Sequence, residues 1–328
     1  MARLAKIADL EGSSSGTGFF LCVRKERRNG AKGPFLAIVL QDVSGEIGAK
    51  VFQDVDAADE QFEVGEFVAV QGRGNLFHER LELILDKIRR VIPSDAAVGF
   101  REEDCIRAAP RPIDEMWQEL LTRIQSVSRP DLRDLLARIV ARQEAKLRIW
   151  PAGVKVHHDY RSGLLEHVLK IIEISTLVAE AYGARRDLLI AGAILHDLGK
   201  LEELSYVLAT EYTVEGNLVG HMAIGVGMLR AAAAETPGFP RDLLLELTHL
   251  ILSHHGSREL GSPVEPMTVE AFILAACDDL DSKIYQIRRH LADDGTDGPF
   301  TAYHTRLKRV LLKPAAPGPS AGSSGPTE

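Results

Sequence analysis

Seven side chains able to bind a metal follow one another through the second half of the chain: His167, the pair His196-Asp197, His221, the pair His254-His255, and Asp278. Neutral imidazole and carboxylate together suit borderline or hard divalent ions, and no cysteine lies among them to favour a thiolate site. One ion takes about four to six ligands, so this set, with water between, suffices for two. Paired divalent ions can generate a strong nucleophile at neutral pH and neutralise charge on an oxyanion, which is the chemistry of hydrolysis. A lone His-Asp dipeptide is a weak motif that also caps helices. The ordered series H, HD, H, HH, D across one stretch is hard to explain as separate accidents.

The elements around these residues decide how they are aimed. His167 shares a helical face with Ile171, Ile174 and Val178, which turns its ring toward a core. His196-Asp197 ends the run 188–195, apolar nearly all round and so expected as a central buried helix. A carboxylate there must meet a metal, a cation or backbone donors, because burying an unpaired charge costs several kcal/mol. Gly199 then stops the helix and Lys200 emerges beside the pair, placed to touch a phosphate oxygen or simply to cap the helix end. Asp278 is in line with Ala271 and Leu274 before it and Asp281 and Tyr285 after it. Just ahead of the first ligand helix stand His157, His158 and Tyr160. The two histidines are candidates for phosphate contact or proton donation and the tyrosine for base stacking, with plain loop residues as the alternative.

At 328 residues the chain exceeds the usual size of one core, and 45% hydrophobic with 26% charged residues is ordinary globular composition. Short β-rich runs at 19–23, 35–40, 46–52, 67–72 and 80–91, with a polar helical link at 54–64, predict a five-stranded OB-type barrel over residues 1–92. Residues 93–150 read as a helical connector, 151–313 as an all-helical domain and 314–328, rich in Pro, Gly, Ser and Ala, as a disordered tail. The fold class expected is therefore a multidomain α and β chain. A net charge of -8 argues against coating duplex DNA by bulk electrostatics. It leaves room for local grip by the basic segment Arg24, Lys25, Arg27, Arg28 and Lys32, and by Arg73 and His78. Arg24, Lys25, Arg73 and His78 are the candidates for strand contact. Phe35, Phe52 and Phe77 are candidates for base stacking, although a small barrel needs most of its phenylalanines inside. No run approaches the roughly 20 apolar residues of a membrane span. Three scattered cysteines and the absence of a secretory-type apolar run in MARLAKIADLEG point to the cytoplasm, with no membrane partner.

The stretches PAGVKVHHDYRSGLLEHVL, LIAGAILHDLGKLEEL, GNLVGHMAIGV, LILSHHGSRELGSP and ACDDLDSKI resemble the HD-domain superfamily of metal-dependent phosphohydrolases, and within it the YhaM-type bacterial 3′-to-5′ exoribonucleases. RRNGAKGPFLAIVLQDVSGEIGAKVF resembles the barrel segment of the same family, so the resemblance covers roughly residues 18–287. It implies an OB domain joined to an HD domain, single-stranded RNA or DNA as substrate, divalent-metal dependence and release of nucleotides from a 3′ end. It places His167, His196, Asp197 and Asp278 on the four defining positions, and His221, His254 and His255 on the extra histidines of dinuclear members. Arg161-Ser162 departs from the small residues expected before Gly163. Two ions per chain are expected, manganese favoured, with iron, cobalt, nickel and magnesium also compatible with these ligands. Asp197 and Lys200 are the residues expected to carry the chemistry. Two rivals are an HD phosphohydrolase of a small nucleotide (a cyclic dinucleotide, a deoxynucleoside triphosphate or an alarmone) and a nucleic-acid-binding regulator with a structural metal site. The barrel weighs against the first and the complete ligand set against the second. Homo-oligomerisation is left open.

Overall fold

The computed structural model describes residues 2–30, 33–77, 80–154, 158–206 and 210–314. Lys32, His78, His157, the side chain of Phe77 and the expected tail from residue 315 onward lie outside the described residues. The N-terminal third is a closed barrel of β1 (Ser15–Gly30), β2 (Gly33–Asp42), β3 (Gly45–Val51), β4 (Phe67–Phe77) and β5 (Arg80–Arg90), in the order β1-β2-β3-β5-β4. The β3–β5 pairing is parallel and the others antiparallel, with the short helix α1 (Val55–Asp59) between β3 and β4. This is the OB arrangement.

The two-residue period of the strands sorts the side chains. Leu36, Ile38 and Leu40 of β2 join Ile47, Ala49, Val51, Leu83, Leu85, Phe20 and Phe62 inside the barrel. Phe35, Ala37, Val39 and Gln41 of the same strand line its outer face, each only partly covered.

The remainder of the chain is built on helices: α2 (Ile113–Gln125), α3 (Pro130–Leu147), α4 (Gly163–Tyr182), α5 (Arg186–Leu195), α6 (Lys200–Glu203), α7 (Val214–Val219), α8 (His221–Ala234), α9 (Arg241–Ser253) and α10 (Val269–Asp293). The expectation of an all-helical domain needs one correction. A hairpin of β6 (Leu204–Tyr206) and β7 (Thr210–Tyr212) interrupts it after α6. Strands this short carry too little alternation to be read from sequence. The helices of the 93–150 stretch also do more than connect. Trp117, Leu120 and Ile124 of α2 and Leu132, Leu135, Leu136 and Ile139 of α3 are buried in the same core as Leu165, Ile172, Leu189 and Leu274. Among the described residues no helix is long and apolar enough to cross a membrane.

One polar clamp fixes how the ligand-bearing helices start. Arg185, which precedes α5, donates from Nε and Nη2 to the two carboxylate oxygens of Glu270 in the first turn of α10, at 3.1 and 3.0 Å. The guanidinium holds the Glu270 carboxyl down at about 2, against an ordinary 4.5. A depressed carboxyl stabilises the fold above its unfolded value and loses that contribution as pH falls from about 4.5 toward 2. Arg185 is half exposed and its charge is screened, so the contribution is discounted to roughly 1–2 kcal/mol. Glu270→Gln is therefore expected to lower stability by that amount at neutral pH and to flatten the stability profile between pH 4.5 and 2. Urea unfolding across that window checks both, and an unchanged profile would mean the clamp contributes nothing.

Candidate metal centre

Helix ends deliver most of the candidate ligands. His196 is the C-terminal cap of α5, followed at once by Asp197; His221 opens α8; His254 caps α9, and His255 follows it. His167 and Asp278 project from within α4 and α10. Gly199, in the turn after Asp197, allows the closest of these approaches. A Cβ there would stand 1.9 Å from the His221 carbonyl oxygen and 2.7 Å from the Gly225 nitrogen, so only glycine lets α8 start against the His-Asp turn.

The side chains form two triads. In one, His167 Nε2 lies 3.2 Å from His196 Nε2 and 3.2 Å from Asp278 Oδ1. In the other, the ligand atoms of His221, His254 and His255 lie within 4.8 Å of one another. Asp197 stands between them. Its Oδ2 is 3.4 Å from His196 Nε2 and 3.7 Å from His167 Nε2, while its Oδ1 is 3.7 Å from His221 Nε2 and 3.6 Å from His254 Nε2.

The far side of every imidazole is already committed. His196 Nδ1 lies 2.9 Å from the Ala193 carbonyl, His254 Nδ1 2.7 Å from that of Ile251 and His255 Nδ1 2.9 Å from that of Leu260. The carboxylates of Glu203 and Asp281 take the same part for His221 Nδ1 at 3.1 Å and His167 Nδ1 at 2.8 Å. A carbonyl or carboxylate only accepts, so each of these nitrogens carries a proton and Nε2 is left as the ligand atom that faces the centre.

Three buried atoms within the cluster find no hydrogen-bond partner among the described residues: Asp197 Oδ1, His221 Nε2 and His254 Nε2. Three acceptors converging without a donor suit a cation, since each would otherwise carry a full desolvation cost. Electrostatics agree. Burial alone pushes His167 down, yet Asp278 and Asp281 outweigh it and raise the imidazole to about 9. Burial also pushes Asp197 toward neutrality, and Lys200 and His196 overcome this to hold its carboxyl well below the usual range. His254, walled in by apolar atoms and facing His196, is held neutral. The donor set therefore fits divalent cations, with Asp197 facing both triads.

The expected strand-contact residues fare differently. Arg24 is exposed on β1 opposite Val39, and Arg73 is exposed but paired with Asp86 at 3.1 Å. Lys25 requires a correction. Its side chain is largely covered, and Nζ donates to the carbonyls of Asp59 and Phe62 and pairs with the Asp59 carboxylate, tying β1 to the end of α1. His158 requires another. It is buried, with Nε2 3.0 Å from Asp281 Oδ2 and Nδ1 2.7 Å from the Tyr160 hydroxyl, so it braces the carboxylate behind His167 and does not face incoming phosphate. The Tyr160 hydroxyl donates to Glu166. Lys200 is buried and donates to Asp197 Oδ2 at 2.7 Å, so it reaches the carboxylate directly. Phe52, a stacking candidate weighed against a place in the core, is 51% exposed and packs on the ring of Phe35 with centroids 5.5 Å apart.

Sequence reasoning missed Glu203 and Glu166 and left Asp281 outside the site. Carboxylates adjoining a ligand motif, as Glu166 adjoins His167 and Glu203 follows HDLGK, are the available signal for such bracing groups.

The family model described as HD domain matches residues 164–283, the stretch that carries all seven candidate ligands. The chain is 39% identical over 259 residues to the 3′-5′ exoribonuclease YhaM of Bacillus subtilis (strain 168), spanning 79% of this chain and 81% of that one. It is 38% identical over 284 residues to the protein of that name from Geobacillus sp. (strain WCH70), spanning 86% of each. Among solved structures, the second OB-fold domain of replication protein A from Methanococcus maripaludis matches 27% of this chain and 95% of its own, at 23% identity and a TM-score of 0.24. The chain belongs to the YhaM 3′-5′ exoribonuclease family.

Proposed function

We propose that this protein is a metal-dependent exonuclease that removes nucleotides from the 3′ end of single-stranded RNA, at a centre holding two divalent ions, manganese favoured. The observation that carries the reading is the pair of triads with Asp197 between them and three partnerless buried atoms aimed into the gap. The activity for which the relatives are named supports the 3′-to-5′ direction and an RNA substrate. His167, His196 and Asp278 would hold one ion and His221, His254 and His255 the other, with Asp197 shared. Bound there, the ions would supply a nucleophile at neutral pH and neutralise charge on the phosphate.

The chain's own residues set the stage for that chemistry. Glu203 and Asp281 fix the imidazole tautomers, and Lys200 fixes the Asp197 carboxylate. The barrel supplies grip on the strand: the Phe35 and Phe52 pair gives bases a surface to stack on, and Arg24 and Arg73 offer charge to phosphates.

The deciding experiment follows a 5′-labelled single-stranded RNA with and without added manganese. A ladder shortening from the 3′ end only with metal is the expected product pattern. Internal cuts, or no cleavage, would overturn the reading. Removing residues 1–92 is expected to raise KM for a long strand roughly tenfold while hydrolysis of a small phosphodiester dye continues. Equal loss of both activities would mean that the barrel serves folding or the centre itself.

A further inference from the structure

A cavity of about 600 Å³ lies between the barrel and the helical domain. That volume is within the range of about 300–1,000 Å³ typical of ligand sites. The barrel contributes Arg24, Val39 and Gln41, and the helical side contributes Arg107, Tyr160 and Arg289.

Three features single this cavity out. First, it gathers three arginines from separate segments of a chain whose net charge is -8. Arg24 has no ion-pair partner among the described residues. Arg107 and Arg289 share the largely buried Asp159, at 3.5 and 2.8 Å, and Arg289 also lies 3.6 Å from the exposed Asp293. A guanidinium has five N–H donors, so these pairings leave donors for another anion. Glu46 is the other acid on the wall.

Second, its barrel wall continues a track. Val39 and Gln41 lie on the same outer face of β2 as Phe35, whose ring meets the exposed Phe52. From Phe35 to Gln41 a strand rises about 20 Å.

Third, its far wall is tied to the metal centre by a relay of side chains. The Tyr160 hydroxyl contacts His158, His158 contacts Asp281, and Asp281 contacts His167. Tyr285, four residues beyond Asp281 on α10, stacks against His158 at 4.8 Å and bonds Asp159.

We propose that this interdomain cavity holds part of the single strand that leaves the outer face of β2, with Arg24, Arg107 and Arg289 holding its phosphates and Tyr160 meeting a base. The proposal rests on the nuclease reading above. It adds a second wall to strand binding, supplied by the helical domain, that a barrel acting alone would lack.

The test uses the full-length protein stripped of metal, a fluorescent 12-nucleotide single-stranded RNA, and titrations at several salt concentrations. Arg24→Glu, Arg107→Gln and Arg289→Gln are each expected to raise Kd about tenfold at low salt. The neutral variants should also reduce the slope of log K against log salt by about 0.7, the contribution of one phosphate on a single strand. Arg289→Lys, which keeps the charge but loses the fork, should recover most of the affinity, whereas a purely structural role on Asp159 would not follow charge. Arg142→Gln, whose partner is Glu235 on another face, should bind like the wild type. Wild-type Kd and slope in all three cavity variants, in a protein that still degrades the strand, would overturn the cavity as a strand site and leave the nuclease reading standing. A wild-type protein that neither binds nor degrades the strand would overturn both.

Discussion

Replacing Asp197 should abolish strand hydrolysis, by about 10³-fold or more, while leaving binding of the strand nearly intact. One oxygen of this carboxylate faces each triad, so its loss depletes both at once. The structure also dictates which substitution to read. Asp197→Ala leaves Lys200 buried without its partner at 2.7 Å, and breaking a buried pair costs about 3–5 kcal/mol. Asp197→Asn keeps the shape and an acceptor for Lys200, and the double variant Asp197→Ala with Lys200→Met removes the stranded charge. Circular dichroism establishes that each is folded before degradation of labelled RNA is measured beside its binding isotherm. Wild-type turnover by a folded Asp197→Asn protein would exclude this centre as the site of chemistry.

Gly199→Ala should be nearly as damaging although the residue bears no functional group. A methyl there meets backbone, at 1.9 Å from the His221 carbonyl, and backbone cannot swing aside as the end of a side chain would. Overpacking of this kind costs about 1–3 kcal/mol and sometimes more. The strain falls on the first turn of α8, which carries His221 and is held by Glu203. Metal content of the loaded protein is therefore expected to drop from the two ions proposed toward one, together with a lower Tm. Gly225→Ala provides the contrast, because its nearest neighbour would sit at 3.4 Å, close to ordinary contact, and both measurements should change little. Normal metal content and Tm in Gly199→Ala would show that the approach of α8 is not what positions the second triad.

What was legible in the sequence depended on how far each partner lies along the chain. The buried helix before His196-Asp197 was readable because its apolar run is continuous, and residues 188–195 are all buried. The barrel was readable because Leu36, Ile38, Leu40 and Leu81, Leu83, Leu85 alternate along their strands. Lys25 was misassigned because the groups that claim its ammonium come from Asp59 and Phe62, beyond two intervening strands. His158 was misassigned because its partner Asp281 is 123 residues away. Phe52 was recoverable: with Ile47, Ala49 and Val51 turned inward, strict alternation places Glu46, Lys50 and Phe52 outward. A general preference for phenylalanine in cores hid that parity. For Glu203 the only signal was its place just after HDLGK, since its bond to His221 depends on how α6 and α8 meet.

Closure of the barrel has a consequence for life in a crowded solution. An open sheet ends in a row of free amide and carbonyl groups, a template on which a stray chain can add itself by main-chain pairing. Here β1 is sealed to β4 and β3 to β5, so the ring of strands has no such border. The exposed Phe52 ring beside Phe35 can thus stay sticky toward a flexible polymer without turning the sheet itself into a seed for aggregation.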